Sequence, residues 1–158
     1  MKKVLVLITM ALLMVSCHVS RNPVSASFQS PVQFMKTDGD GSITVRATGI
    51  GRNYNDALDQ ARKLALQQLV FKGIEVPGNA FLSKPLITEV NAEEKYQDFF
   101  NMFFADGGDY RQFVSAEDKR VGSTVEKKGD AKVKQTVTVR LLRPELKQYL
   151  IDHKVIKQ

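Results

Sequence analysis

The stretch that most constrains this chain is Ser42 to Ile74, SITVRATGIGRNYNDALDQARKLALQQLVFKGI, where a period-two pattern gives way to a helical one. Ile43, Val45 and Ala47 alternate with Thr44, Arg46 and Thr48, which predicts a strand with one buried face. Gly49 and Gly51 interrupt the alternation and admit a tight reversal. Asn53 or Asn55 is placed to cap a helix, and Asp56 suits the dipole of its first turn. Tyr54, Ala57, Leu58, Ala61, Leu64, Ala65 and Leu69 then share one broad face, with Asp56, Asp59, Gln60, Lys63 and Gln67 opposite. Alanines at 57, 61 and 65 permit close approach to a sheet. Arg62 stands at the edge of the apolar face, where its stem can snorkel. Gly73 closes the helix.

A Gly-x-Gly between strand and helix also invites a dinucleotide-binding reading. That fingerprint needs a third glycine where Tyr54 stands and a later parallel strand ending in an acid, and the sequence supplies neither.

Strand, ATGIGR and a helix reading DALDQARKLALQQL together resemble the repeat "A-x-G-x-G … A-x-x-x-A-R-x-x-A-x-x-x-L" of the Lpp-twenty family of small outer-membrane lipoproteins. The segment is also similar to the amino-terminal domain of the flagellar T protein. Ala47, Gly49, Gly51, Ala57, Ala61, Arg62, Ala65 and Leu69 carry the match. The resemblance implies a strand–helix–strand–strand arrangement similar to dodecin, with a sheet curled round one helix. It also implies an envelope or assembly component rather than an enzyme.

The amino terminus agrees with that setting. Lys2 and Lys3 precede an apolar run from Val4 to Val15, broken only by Thr9. A dozen or so apolar residues are too few to cross a bilayer, which takes about 20, so residues 1–16 read as an export signal. Leu13-Met14-Val15-Ser16-Cys17 resembles a relaxed bacterial lipobox, departing from it at Met14. Cys17 is the only cysteine of the 158 residues, so it has no internal partner for a disulfide, which favours lipidation. Residues 17–41, rich in Ser, Pro, Asn and Gly, read as lipidated cysteine and flexible tether, with at most a short extended piece near Val32 to Met35. Asp38-Gly39-Asp40-Gly41 does not fit a calcium loop, which would require glycine at Ile43 and glutamate at Gly49. It predicts a turn.

Residues 42–158 then form a single α+β domain. Within it, 74–108 reads as an insertion punctuated by Pro77, Gly78 and Pro85, with a short strand at Leu86 to Val90. Asn91 and Glu94 suggest a capping box. The following helix sets Tyr96, Phe99, Phe100, Phe103 and Phe104 in one stripe. Such a stripe is ordinarily core. A sheet curled round one helix leaves little interior for a second, so these five residues are also candidates for an interface or a ligand site. Phe113, Val114, Val121 and Val125 predict a strand broken or bulged near Ser115 to Lys119. Val133, Gln135, Val137, Val139 and Leu141 define the face of another strand, whose opposite face is basic. Pro144 opens a terminal helix with Leu146, Tyr149 and Leu150 inward.

The expected fold is therefore α+β: a dodecin-like antiparallel sheet curled round one long helix, with an inserted aromatic helix and a C-terminal helix. A cystatin-like sheet is the structural alternative, favoured if Leu86 to Val90 is a strand. No nucleophile–base pair or metal-ligand spacing stands out around His153, so the reading is not an enzyme and involves no metal or cofactor. Losing Lys2 and Lys3 lowers the formal charge from +6 to +4, and no basic cluster interleaved with aromatics speaks for nucleic acid. The functional expectation is a lipid-anchored envelope lipoprotein, on the outer membrane facing the periplasm, that docks an envelope protein or itself. The alternative is a periplasmic module for a small apolar ligand or lipid.

Overall fold

The computed structural model describes residues 32–118, 126–128 and 132–157. The export signal, Cys17 and the tether as far as residue 31 lie outside the described residues.

Five strands build one antiparallel sheet: β1 (Val32–Thr37), β2 (Ile43–Gly51), β3 (Val114–Asp118), β4 (Glu126–Lys128) and β5 (Lys132–Leu141). Their order is β1-β2-β5-β3, and β4 also pairs with β5. Because β2 occupies one side of β5 from Val133 to Leu141, β3 and β4 follow one another along the other side. The long helix α1 (Tyr54–Gln67) lies on β2 and β5. Three short helices follow, α2 (Ala80–Ser83), α3 (Ala92–Lys95) and α4 (Gln97–Phe103), then a 3-10 turn (Asp109–Phe113) and, after β5, α5 (Arg143–Asp152).

Ile43, Val45 and Ala47 of β2 and Val137, Val139 and Leu141 of β5 are all buried, as their alternation predicts. So are Ala57, Ala61, Ala65 and Leu69, whereas Tyr54 is exposed. Asn53 is the helix cap: its side-chain carbonyl accepts the Asp56 N–H at 2.9 Å. Gly49 and Gly51 remain within β2, and neither has a positive φ. They do not make the reversal expected of them. A Cβ at Gly49 would stand 2.2 Å from the Ala57 carbonyl oxygen and 2.4 Å from the Ala61 nitrogen, and one at Gly51 would stand 2.3 Å from the Ala57 nitrogen. The glycines are needed because the backbone of α1 rests directly on theirs.

The sheet is open, and this corrects the dodecin-like expectation. It does not curl round α1; its path ends at β1 on one side and at β3 on the other. An open sheet presents a face wider than one helix covers. Phe100 and Phe103 of α4, Tyr110 and Phe113 of the 3-10 turn, and Leu146 and Leu150 of α5 join the same apolar cluster and complete the layer. Residues that a curled sheet would have left outside are therefore core.

Three further differences are local. The short extended piece expected near Val32 to Met35 is present, but it belongs to the sheet rather than to a tether: it is the edge strand β1, paired with β2 and bulged between Phe34 and Lys36. The turn between them does form at residues 38–41, with Gly41 at φ +84° and the Asp40 carboxylate accepting the Ser42 N–H at 2.9 Å. Residues 86–90 form no strand, which removes the feature favouring a cystatin-like sheet. Instead α1 runs into a wide π-type turn, Gln68–Lys72, and the Leu86 and Ile87 N–H groups donate to the Leu69 and Val70 carbonyls. Finally, Asn91 takes a left-handed conformation, φ 59°, and its side chain caps nothing; the aromatic helix breaks at Tyr96 into α3 and α4. The expected bulge near Ser115 to Lys119 is present, as a register shift between Ala116 and Asp118.

A groove floored by the aromatic helix

The aromatic stripe turns inward. Phe103 is 2% exposed and Phe100 5%, while Tyr96, Phe99 and Phe104 are half-buried. Phe103 stands 4.9 Å from Phe104, 5.8 Å from Phe99 and Tyr149, and 6.0 Å from Phe113, centroid to centroid. Phe100 meets Phe71, at the end of the long helix, edge to face at 4.8 Å. The five residues are therefore mostly one wall of the core. Their exposed neighbours are Met102, 77% exposed, and Val90, 83% exposed.

A groove of about 770 Å³ runs between the end of α1 and helices α3 and α4. Phe71, Ile87, Phe100 and Phe104 supply its apolar lining, and Glu89, Glu93 and Glu94 its charge. No lysine or arginine is among its lining residues. Glu93 and Glu94 fall here because α3 is a single turn that starts from the left-handed Asn91 and ends at the break at Tyr96. Glu89 is held against the surface by the Lys95 ammonium and the Tyr96 hydroxyl, and the hydrogen bond from Lys95 keeps its carboxyl below the ordinary glutamate range. Glu93 and Glu94 make no ion pair among the described residues. The groove thus joins aromatic surface to a partly unneutralised acidic lining, which suits a ligand carrying both cationic and apolar groups.

Behind this wall, Tyr149 donates its hydroxyl to Asp109 at 2.7 Å, and His153 packs against Tyr149 at a tilt of 33°, with ring centroids 4.0 Å apart. Burial, then the hydrogen bond and charge of Asp109, push the Tyr149 phenol up to about 12. This contact ties α5 to the 3-10 turn. It places no nucleophile or base beside a cleft.

Among the described residues no group of three His, Cys, Asp or Glu side chains is placed to hold a metal ion, and no helix is long and apolar enough to cross a membrane. Cys17 lies outside them. Gly49 and Gly51 are packing residues, far in role from any ligand. The groove residues that sequence reasoning missed are Phe71, Ile87, Glu89, Glu93 and Glu94. The only signal for them was an acidic run, Glu89 to Glu94, just before the aromatic stripe. Comparisons of the chain with protein-family models, with curated proteins and with solved structures give no match.

Proposed function

We propose that this chain is a non-catalytic, lipid-anchored component of a bacterial envelope that docks a basic, partly apolar segment of a partner protein in the groove beside α4. The groove carries the reading. Four apolar side chains give an extended or helical segment a place to bury one or two anchors, and Glu93 and Glu94, beside a Glu89 already paired with Lys95, select positive flanks. The leader, Cys17 and the resemblance to small outer-membrane lipoproteins support the setting. An anchored protein that works by docking needs a rigid surface, and the packed rings behind the groove provide one.

A small apolar ligand among Phe99, Phe100, Phe103 and Phe104 draws less support, because these rings fill the space between them with one another. Self-association through the stripe loses its main argument for the same reason.

The test is fluorescence anisotropy with a labelled peptide of alternating lysine and leucine against the detergent-solubilised lipoprotein. Glu93→Gln combined with Glu94→Gln weakens binding by about two- to thirtyfold, since each charge pair on a partly exposed surface contributes roughly 0.2–1 kcal/mol. Equal affinity for the variant and the unmodified chain would sink the reading.

A further inference from the structure

A second cleft, on the opposite flank of α1, has the opposite charge. It measures about 400 Å³ and is lined by Asn55, Leu58, Asp59 and Arg62 of α1, by Arg111 and by Val114, the first residue of β3. Asp59 bridges the two arginines: Arg62 Nη1 donates to Oδ1 at 3.1 Å, and Arg111 Nη2 donates to Oδ2 at 2.8 Å. Arg111 Nε also donates to the Tyr110 hydroxyl at 3.3 Å. A guanidinium carries five N–H donors, so most of both forks remain unengaged after these bonds. Arg62 Nε is buried and has no acceptor among the described residues. Two cations face one carboxylate, and the carboxylate holds them in place.

The neighbouring backbone is equally incomplete. β3 ends the strand path of the sheet, and among the described residues no strand pairs with its outer side. Such an edge accepts an extended chain through main-chain hydrogen bonds. An antiparallel newcomer would run opposite to β3, so its carboxyl terminus would arrive beside Val114, at the mouth of the arginine cleft. The geometry therefore points to a recognition site for the free C-terminus of an extended peptide, added to β3 and held by its terminal carboxylate between Arg62 and Arg111. The surplus of one positive charge matches a singly charged, planar group, and both guanidinia can offer it paired donors. Leu58 and Val114 supply apolar surface for the last side chain.

The acidic groove beside α4 shares none of these residues, so this site stands or fails independently of it. The experiment uses the full-length lipoprotein in detergent and a pentapeptide of alternating valine and threonine, labelled at its amino end. One version has a free carboxylate and the other a carboxamide. The acid is expected to bind at least about tenfold tighter than the amide, the worth of one charge-assisted bidentate contact. Arg111→Gln, on a half-exposed side chain, reduces the acid to the affinity of the amide and leaves the amide unchanged, with the melting temperature checked alongside. Arg62→Gln serves as the second variant. Equal binding of acid and amide overturns the proposal, as does no binding of either at about 1 mM. A preference for the acid that survives both substitutions overturns it as well.

Discussion

Gly49 of β2 and Ala61 of α1 meet backbone to backbone: a Cβ placed on Gly49 would stand 2.4 Å from the Ala61 nitrogen. Helix and sheet are thereby joined at a distance that only glycine on one side and a small residue on the other allow. The same holds for Gly51 and Ala57, where the distance would be 2.3 Å. The spacing of small residues, Gly49 and Gly51 against Ala57 and Ala61, is therefore a packing device, and it fixes where α1 lies on the open sheet.

Gly49→Ala is expected to destabilise the fold by about 3 kcal/mol, because the obstacle is backbone rather than a movable side chain. Gly39→Ala is the control. Nothing stands within 4 Å of a Cβ there and φ is not positive, so the change stays within about 0.5 kcal/mol. Urea unfolding of both variants measures the contrast.

Phe103 and Met102 are adjacent on α4 and opposite in burial. Phe103→Ala removes a ring packed against Phe99, Phe100, Phe104, Phe113 and Tyr149, with an expected loss of about 3–5 kcal/mol. Met102→Ser changes stability by less than about 0.5 kcal/mol. If the two variants unfold alike, the aromatic helix is not part of the core.

Burial of the Tyr149 phenol, with its hydrogen bond to Asp109, predicts an alkaline transition. The phenol pKa rises from 10.0 to about 12 on folding, so the folded state holds its proton more tightly than the unfolded one. The stability this contributes is complete below pH 10 and is lost as the pH rises from 10 to about 12. Tyr149→Phe is expected to flatten that part of the stability–pH curve. An unchanged curve would show that the phenol is not buried against Asp109 in solution.

At the acid end the turn between β1 and β2 takes over. The hydrogen bond from Lys36, with Thr44 assisting, lowers the Asp38 pKa, and the backbone N–H of Ser42 lowers that of Asp40. Both depressed values mean stability present above the ordinary aspartate pKa of 3.8 and lost as the pH falls through the folded values. Asp38→Asn combined with Asp40→Asn is expected to be less stable than the unmodified chain at pH 7 and to lose less on acidification below pH 4, followed by thermal melts.

How far these features could be read in advance depended on whether local pattern and tertiary role agreed. In β5 they did: Gln135, Val137, Val139 and Leu141 alternate inward and are buried as their spacing implies. The Asn53 cap and the closing Gly73, at φ +81°, were legible for the same reason. The extended piece near Val32 to Met35 was legible, but its place as an edge strand was not, because a bulge breaks its alternation after Phe34 and a Ser/Pro-rich segment precedes it. Leu86 to Val90 has strand composition, yet its first two N–H groups satisfy carbonyls freed by the wide turn ending α1, a partner no sequence window contains. The curl of the sheet was misjudged because it depends on how many helices share one face. The groove was only half legible: the aromatic stripe marked its floor, but Phe71 reaches it from a helix more than twenty residues earlier.

The central claim, docking of a basic segment over Phe71, Phe100 and Phe104 by an anchored protein, is tested most directly by site-specific cross-linking in membranes. A photo-reactive side chain replaces Asn101, which lines the groove, or Lys147, which is exposed on α5. The expected result is one defined partner cross-linked from position 101 and not from 147. The attached peptide should be rich in lysine or arginine around an apolar anchor, and the product should be lost with Glu93→Lys and Glu94→Lys. Identical products from both positions, or an acidic cross-linked peptide, would contradict it.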